Sequence, residues 1–141
     1  MILFLRKNNN NLLRLPTLAQ TFPDALILIP FRDPVQHAMS LLRQHQLFCA
    51  RHSKDKFGMD YMQWLGHWEF GLSHKNYCYS GEDNPFKPED INYWLQCWLD
   101  AYNHALNTAP ENSIFFSYER LCESPLPLLT TLVTRLGVEH D

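Results

Sequence analysis

The chain has 141 residues with a formal charge of −3, and 45% of them are apolar and 13% aromatic. That composition excludes a disordered chain, and the length allows one domain with a real core but not two comfortable ones. No apolar run reaches the ~18 residues that a membrane helix needs, and the opening "MILFL" is too short for a secretory signal.

Ile2 to Arg6 reads as a short apolar strand. Asn8 to Asn11 make a polar turn, and "LLRLPTLAQTF" follows as a short helix interrupted by Pro16. "FPDA", Phe22 to Ala25, ends that helix and launches a second strand through Phe31. The next residues change character at Arg32. "DPVQ" has the grammar of a helix start, with Asp33 as N-cap, Pro34 at the first position and Gln36 closing a capping box. The helix should run from Pro34 to about Lys54, with Val35, Ala38, Met39 and Leu42 on its apolar face and Gln36, His37, Ser40, Arg43 and Gln44 on the other.

"DYMQWLGHW" fits a short helix, and "SGEDNPFKPED" is a turn-rich loop. Ile91, Trp94, Leu95, Trp98, Tyr102, Ala105 and Leu106 recur at helical spacing, predicting an amphipathic helix from Ile91 to Leu106. "TAPENS" turns the chain into a third strand, Ile114 to Tyr118. The last helix opens with Ser124 as N-cap and Pro125 at its first position, and stops near Gly137. This alternation predicts a single α/β domain over residues 1–141, with a mainly parallel sheet and flanking helices. Ligands of such sheets bind at the carboxyl ends of the strands, where Arg32 and Tyr118 lie.

The charge is uneven. Residues 1–56 hold eight Lys/Arg against three Asp/Glu, and residues 57–141 hold four against twelve. The basic part includes the turn at Arg32, so an anion is expected on that side. Nucleic acid is not, because no basic run interleaves with aromatics. Cys49, Cys78, Cys97 and Cys122 show no paired spacing and read as free thiols of a reducing, cytoplasmic compartment; no metal site is expected among the seven histidines.

Arg32 costs several kcal/mol if buried without a partner. Ser40 lies two helical turns further on, about 9 Å along the axis from Pro34. A guanidinium and a serine hydroxyl together suit a phosphate lying along the first two turns of the helix. His37 and His45 lie on the same helix, eight apart and close to that phosphate face, and read as polar surface histidines or, second, as contacts to the phosphate or the acceptor. His67 and Glu69 in "GHWEFG" suit an acceptor-site wall or a loop rigidified by aromatics. Trp64/Trp68 and Trp94/Trp98, each one turn apart, read as core or helix-packing pairs.

"FPDALILIPFRDPVQHAMSL" resembles the sulfotransferase family, which transfers a sulfuryl group from 3'-phosphoadenosine 5'-phosphosulfate (PAPS) to an acceptor hydroxyl or amine. The resemblance rests on "FPDA", the "RDP" turn and the eight-residue gap taken together. It implies that Arg32 and Ser40 hold the 3'-phosphate of this cosubstrate. "LRKNNNNLLRLPTL" resembles the segment that places a lysine near the transferring group, which gives Lys7 that catalytic role. "IFFSYERLCESPLPLLTTLVTRLGV" resembles the later strand, turn and closing helix, which puts Tyr118 against the adenine and Glu119 in the turn.

The resemblance is to the bacterial, general branch, and implies a P-loop NTPase-like fold lacking its first strand and P-loop. The family's "GxxRSGTT" loop is absent from this sequence, whose five glycines are Gly58, Gly66, Gly71, Gly81 and Gly137. Where one branch has a histidine base, this chain has Asn9, and an amide cannot take the acceptor's proton. The expectation is a partial, amino-terminally truncated domain, inactive as an isolated chain. Without that strand and helix, self-association is expected through an open edge or uncovered face. The alternative is a non-catalytic remnant that binds a nucleotide or a protein partner.

Overall fold

Proline decides where three helices begin. Its fixed φ and missing N–H suit the first helical turn and no later one, and a computed structural model places Pro16, Pro34 and Pro125 in that position. The structure describes residues 8–77, 79, 81 and 83–137. The expected strand Ile2–Arg6 therefore lies outside the described residues, as does Lys7. A 3-10 helix, Asn9–Arg14, comes first, opened by the Asn8 side chain accepting from the Asn10 N–H. Pro16 does not interrupt the helix that follows but starts it: α1 is Leu15–Thr21. The remaining elements are β1 (Ile27–Phe31), α2 (Pro34–His52), α3 (Lys56–Trp64), α4 (Ile91–Thr108), β2 (Ser113–Ser117), α5 (Tyr118–Glu123) and α6 (Pro125–Leu136).

The fold is α/β, with a two-stranded parallel sheet and flanking helices. The chain divides into two compact units, one built from residues 1–32 and 104–141, the other from Asp33–Asn103. The first contains the sheet. Its register runs from Ile27 against Ser113 to Phe31 against Ser117, and the Ile27 N–H donates to the Asn112 carbonyl just before the ladder. The Asn112 side-chain amide donates to the Ala25 carbonyl, so one asparagine fixes the start of both strands. Leu15, Ile29 and Ala105 are buried here. α6 ends as expected at Gly137, whose φ of 60° is left-handed and free of cost only for a residue without Cβ. Ser124 stands at its N-cap position without a side-chain capping bond.

The second unit contains α2, α3 and most of α4. Asp33 caps α2, its Oδ1 accepting from the Gln36 N–H at 2.8 Å. Ala38, Tyr93 and Trp94 are its buried hydrophobic centre, with Leu41, Leu42, Phe70, Ile91, Leu95 and Cys97 packed around them.

Several expectations need correction. Of the expected apolar face of α2, Ala38 is fully buried, but Val35 and Met39 are 50% and 40% exposed. The missing stripe is filled by His45 and His52, both buried. Trp94 is core as expected, whereas Trp64 is 78% exposed. α3 starts four residues earlier than read, because Asp55 caps it by accepting from the Gly58 N–H. The strand expected at Ile114–Tyr118 ends at Ser117, because the Ser117 hydroxyl accepts from the Arg120 N–H and starts α5 at Tyr118. No helix among the described residues is long and apolar enough to cross a membrane.

Candidate functional site

The last ladder pair, Phe31 and Ser117, leaves Arg32 and Tyr118 side by side at the carboxyl ends of the two strands. The Arg32 guanidinium carbon lies 5.3 Å from the Tyr118 ring centroid, within cation–π range. Arg32 thus meets an aromatic face. Its Nε is buried without a hydrogen-bond partner among the described residues. Stacking on a ring uses the flat face of a guanidinium and leaves its in-plane N–H groups for an anion.

Tyr118 is 46% exposed. A hydrogen bond to the Cys122 thiol, one turn along α5, raises its pKa above the ordinary 10, and Arg32 opposes that rise. Glu119 ties the turn together, its Oε2 accepting from the Ser117 hydroxyl at 2.9 Å. These contacts hold the strand-to-helix corner that presents Tyr118.

Ser40 is exposed on α2, in the second unit, one turn beyond the exposed Gln36. The amino end of α2 already carries the Asp33 carboxylate, so an anion using this helix would bind along its flank and not on its tip. Asn9 lies in the 3-10 helix.

The second unit also holds a histidine cluster whose burial sequence reasoning missed. Gly71 N–H donates to His45 Nδ1 at 3.3 Å, and His45 Nε2 lies 3.4 Å from Cys49 Sγ. His74 Nδ1 lies 3.1 Å from the Trp68 carbonyl, which admits only a donor, so Nε2 accepts the Tyr93 hydroxyl at 2.7 Å. Burial lowers the pKa of both histidines, and for His45 the neighbouring His74 adds to it. The Cys49–His45 pair has the contacts of a nucleophile and its base but not the electrostatics. Burial and Glu89 push the thiol up, so it stays protonated and inert. The clue in the sequence is the seven-residue spacing of His45 and His52, two full helical turns.

His67 Nδ1 and Glu69 Oε1 lie 3.4 Å apart, with side chains 49% and 40% exposed. No group of three or more His, Cys, Asp or Glu side chains among the described residues is placed to hold a metal ion.

The model of the sulfotransferase family matches residues 2–78, more than half of the chain, a range that includes Arg32 and Ser40. No curated protein and no solved structure matches.

Proposed function

The chain belongs to the sulfotransferase family, and from that premise we propose that it binds PAPS at the carboxyl ends of β1 and β2, in a P-loop NTPase-like fold. The observation that carries this reading is Arg32, whose guanidinium lies over the Tyr118 ring and whose buried Nε lacks a partner among the described residues. An orphaned guanidinium nitrogen at a strand end suits a phosphate, which takes two parallel N–H donors. Tyr118 offers an exposed ring to the adenine. Ser40 is assigned to the same 3'-phosphate by its eight-residue distance from Arg32 in the sequence, and Lys7 to the charge on the transferring sulfuryl group.

The reaction is direct transfer. The acceptor oxygen or nitrogen bonds to sulfur, the sulfur–oxygen bond to the 5'-phosphate breaks, and the acceptor's proton leaves to a base. Positioning and charge stabilisation supply most of the rate in such transfers. The acceptor is a hydroxyl or an amine. In this reading the chain by itself binds nucleotide without turning it over. Its sequence holds no glycine-rich phosphosulfate cradle, and Asn9 stands where a base would. A protein that holds this much unpaired apolar surface on α6, where Leu126 is 73% exposed, also associates with itself.

The test has two arms. Calorimetry with 3'-phosphoadenosine 5'-phosphate should show binding by the chain, and its absence would remove the nucleotide site. Radiolabelled PAPS with a panel of phenols, alcohols, amines and glycans should show no transfer. Turnover by this chain alone would show a complete active site and overturn the non-catalytic part of the reading.

A further inference from the structure

The backbone of Gly71 is held between two buried imidazoles. Its N–H donates to His45 Nδ1 at 3.3 Å. It also passes so close to His52 that a Cβ built on it would stand 2.4 Å from the His52 Nδ1. Of its neighbours, Phe70 and His74 pack with it, while Leu72 is exposed. Phe70 stacks on Phe48 of α2 and tilts against Trp94 of α4, and His74 sits against His45, Tyr93 and Trp94. The segment from Gly66 to Lys75 is therefore attached to α2 and α4 by contacts that converge on histidine rings.

One of those contacts requires a neutral ring. Nδ1 of His45 can accept the Gly71 N–H only while it carries no proton; a proton there sets two donors against each other. His74 differs, since its Tyr93 partner is a hydroxyl and can turn to accept. His45 is thus the ring at which a proton breaks a bond outright. We propose that His45 and Gly71 form a proton-operated latch, in which adding a proton to His45 Nδ1 releases residues 66–75 from α2 and α4.

The surroundings favour release over accommodation. Facing His45 are Cys49 from its own helix, His74 and the Gly71 N–H from the latch segment, and Trp94 from α4; of the charged groups near it, Glu89 favours the proton and His74 opposes it. Glu69 favours a proton on His74, while its contacts on α4, Tyr93 and Trp94, carry no charge. Tyr93 in turn lies beside Cys97, a neutral thiol. Burial outweighs both carboxylates and keeps the two rings below the ordinary 6.5. Release therefore falls below pH 6.5, the ordinary value for histidine.

The chain has five glycines, so a spectrum of the full chain labelled with nitrogen-15 glycine resolves Gly71 directly. Lowering the pH from about 7.5 to about 5 should move the Gly71 amide, with at least a roughly tenfold loss of exchange protection. The midpoint should match the titration of the His45 ring, while Gly137 stays unmoved. In His45→Asn, whose side-chain oxygen can stand where Nδ1 stands and takes no proton, the Gly71 amide should stay constant over the same range. A wild-type Gly71 that keeps its position and protection while His45 titrates would overturn the latch. So would simultaneous loss of Gly71 and Gly137, which is global unfolding, or an unchanged Gly71 transition in His45→Asn. If that variant does not fold, the wild-type comparison of Gly71 with the His45 ring decides by itself.

Discussion

Arg32 and Tyr118 meet because Phe31 and Ser117 are paired: each is the next residue after a partner in the last rung of the parallel ladder, and the guanidinium comes to rest 5.3 Å from the ring centroid. The first prediction follows from the Nε this leaves without a partner among the described residues. Arg32→Ala should weaken binding of 3'-phosphoadenosine 5'-phosphate by about 2–4 kcal/mol, the scale for truncating one member of a buried charged pair. Arg32→Lys should restore only part of it, because an ammonium neither stacks nor grips bidentately. Ser40→Ala should cost around 1 kcal/mol. Calorimetry on the three variants checks the order, and a serine effect larger than the arginine effect would reverse the assignment.

Tyr118 separates ring from hydroxyl. Its phenol is engaged with Cys122 and its ring is exposed. Tyr118→Phe should leave nucleotide affinity close to wild type, whereas Tyr118→Ala should lose roughly 1–3 kcal/mol, the range for one base stacked on an aromatic side chain. Equal losses in both variants would move the adenine contact from the ring to the hydroxyl.

Two glycines with similar backbones should respond differently to a methyl group. Gly66 has a φ of 76° with nothing within 4 Å of an added Cβ, and Gly71 a φ of 88° with the His52 ring 2.4 Å away. Gly66→Ala should cost only the left-handed backbone, about 1 kcal/mol. Gly71→Ala adds a clash in a buried site and should cost about 3 kcal/mol. Urea denaturation of both variants measures the difference.

The second unit should also fail at high pH. Burial raises Tyr93 to about 12 from 10 and Cys97 to about 11 from 9.0. The folded form holds these protons more tightly than the unfolded chain, so stability is whole below pH 9 and falls as pH rises through 11 and 12. Phenolate absorbance followed together with near-ultraviolet circular dichroism should show the last tyrosine ionising as tertiary signal disappears. Complete ionisation near pH 10 with that signal intact would contradict the burial of Tyr93.

Self-association has its own measurement. Leu126 is 73% exposed and Leu106 66% in the first unit, and Trp64 78% and Phe57 72% in the second. Light scattering across a concentration series should give a mass above 16.7 kDa that rises with concentration. A constant monomer mass would show that water tolerates these faces.

Local rules made much of this fold legible. Asp33 and Pro34 set the start of α2, the apolar run before Arg32 set β1, and Gly137 set the end of α6, because each depends on a few neighbouring residues. The candidate site was half legible. The placement of Arg32 and Tyr118 at strand ends follows from the alternation of elements, but their mutual contact depends on the register between strands far apart in the chain. The histidine core was missed for a different reason. Histidine is at home both in water and in a core, so hydropathy puts it on no particular side. Only the partners supplied by Gly71, Trp68 and Tyr93 make burial of His45 and His74 affordable.

The bond from Asn112 to Ala25 joins residues 87 positions apart, and nearly everything between them forms the other unit. Closing so long a loop costs entropy that short-range contacts avoid, so pairings of this kind come late in folding. The second unit is continuous in the chain and has no such handicap. During synthesis it is complete before β2 has been made, whereas the sheet has to wait for the carboxyl-terminal residues. A ribosome stalled far enough beyond Asn103 for that residue to clear the exit tunnel, with β2 still inside it, should therefore carry a protected His45–Trp94 core and no β1–β2 pair. The residues assigned to the nucleotide's phosphate and base come together only once β2 has been made and paired.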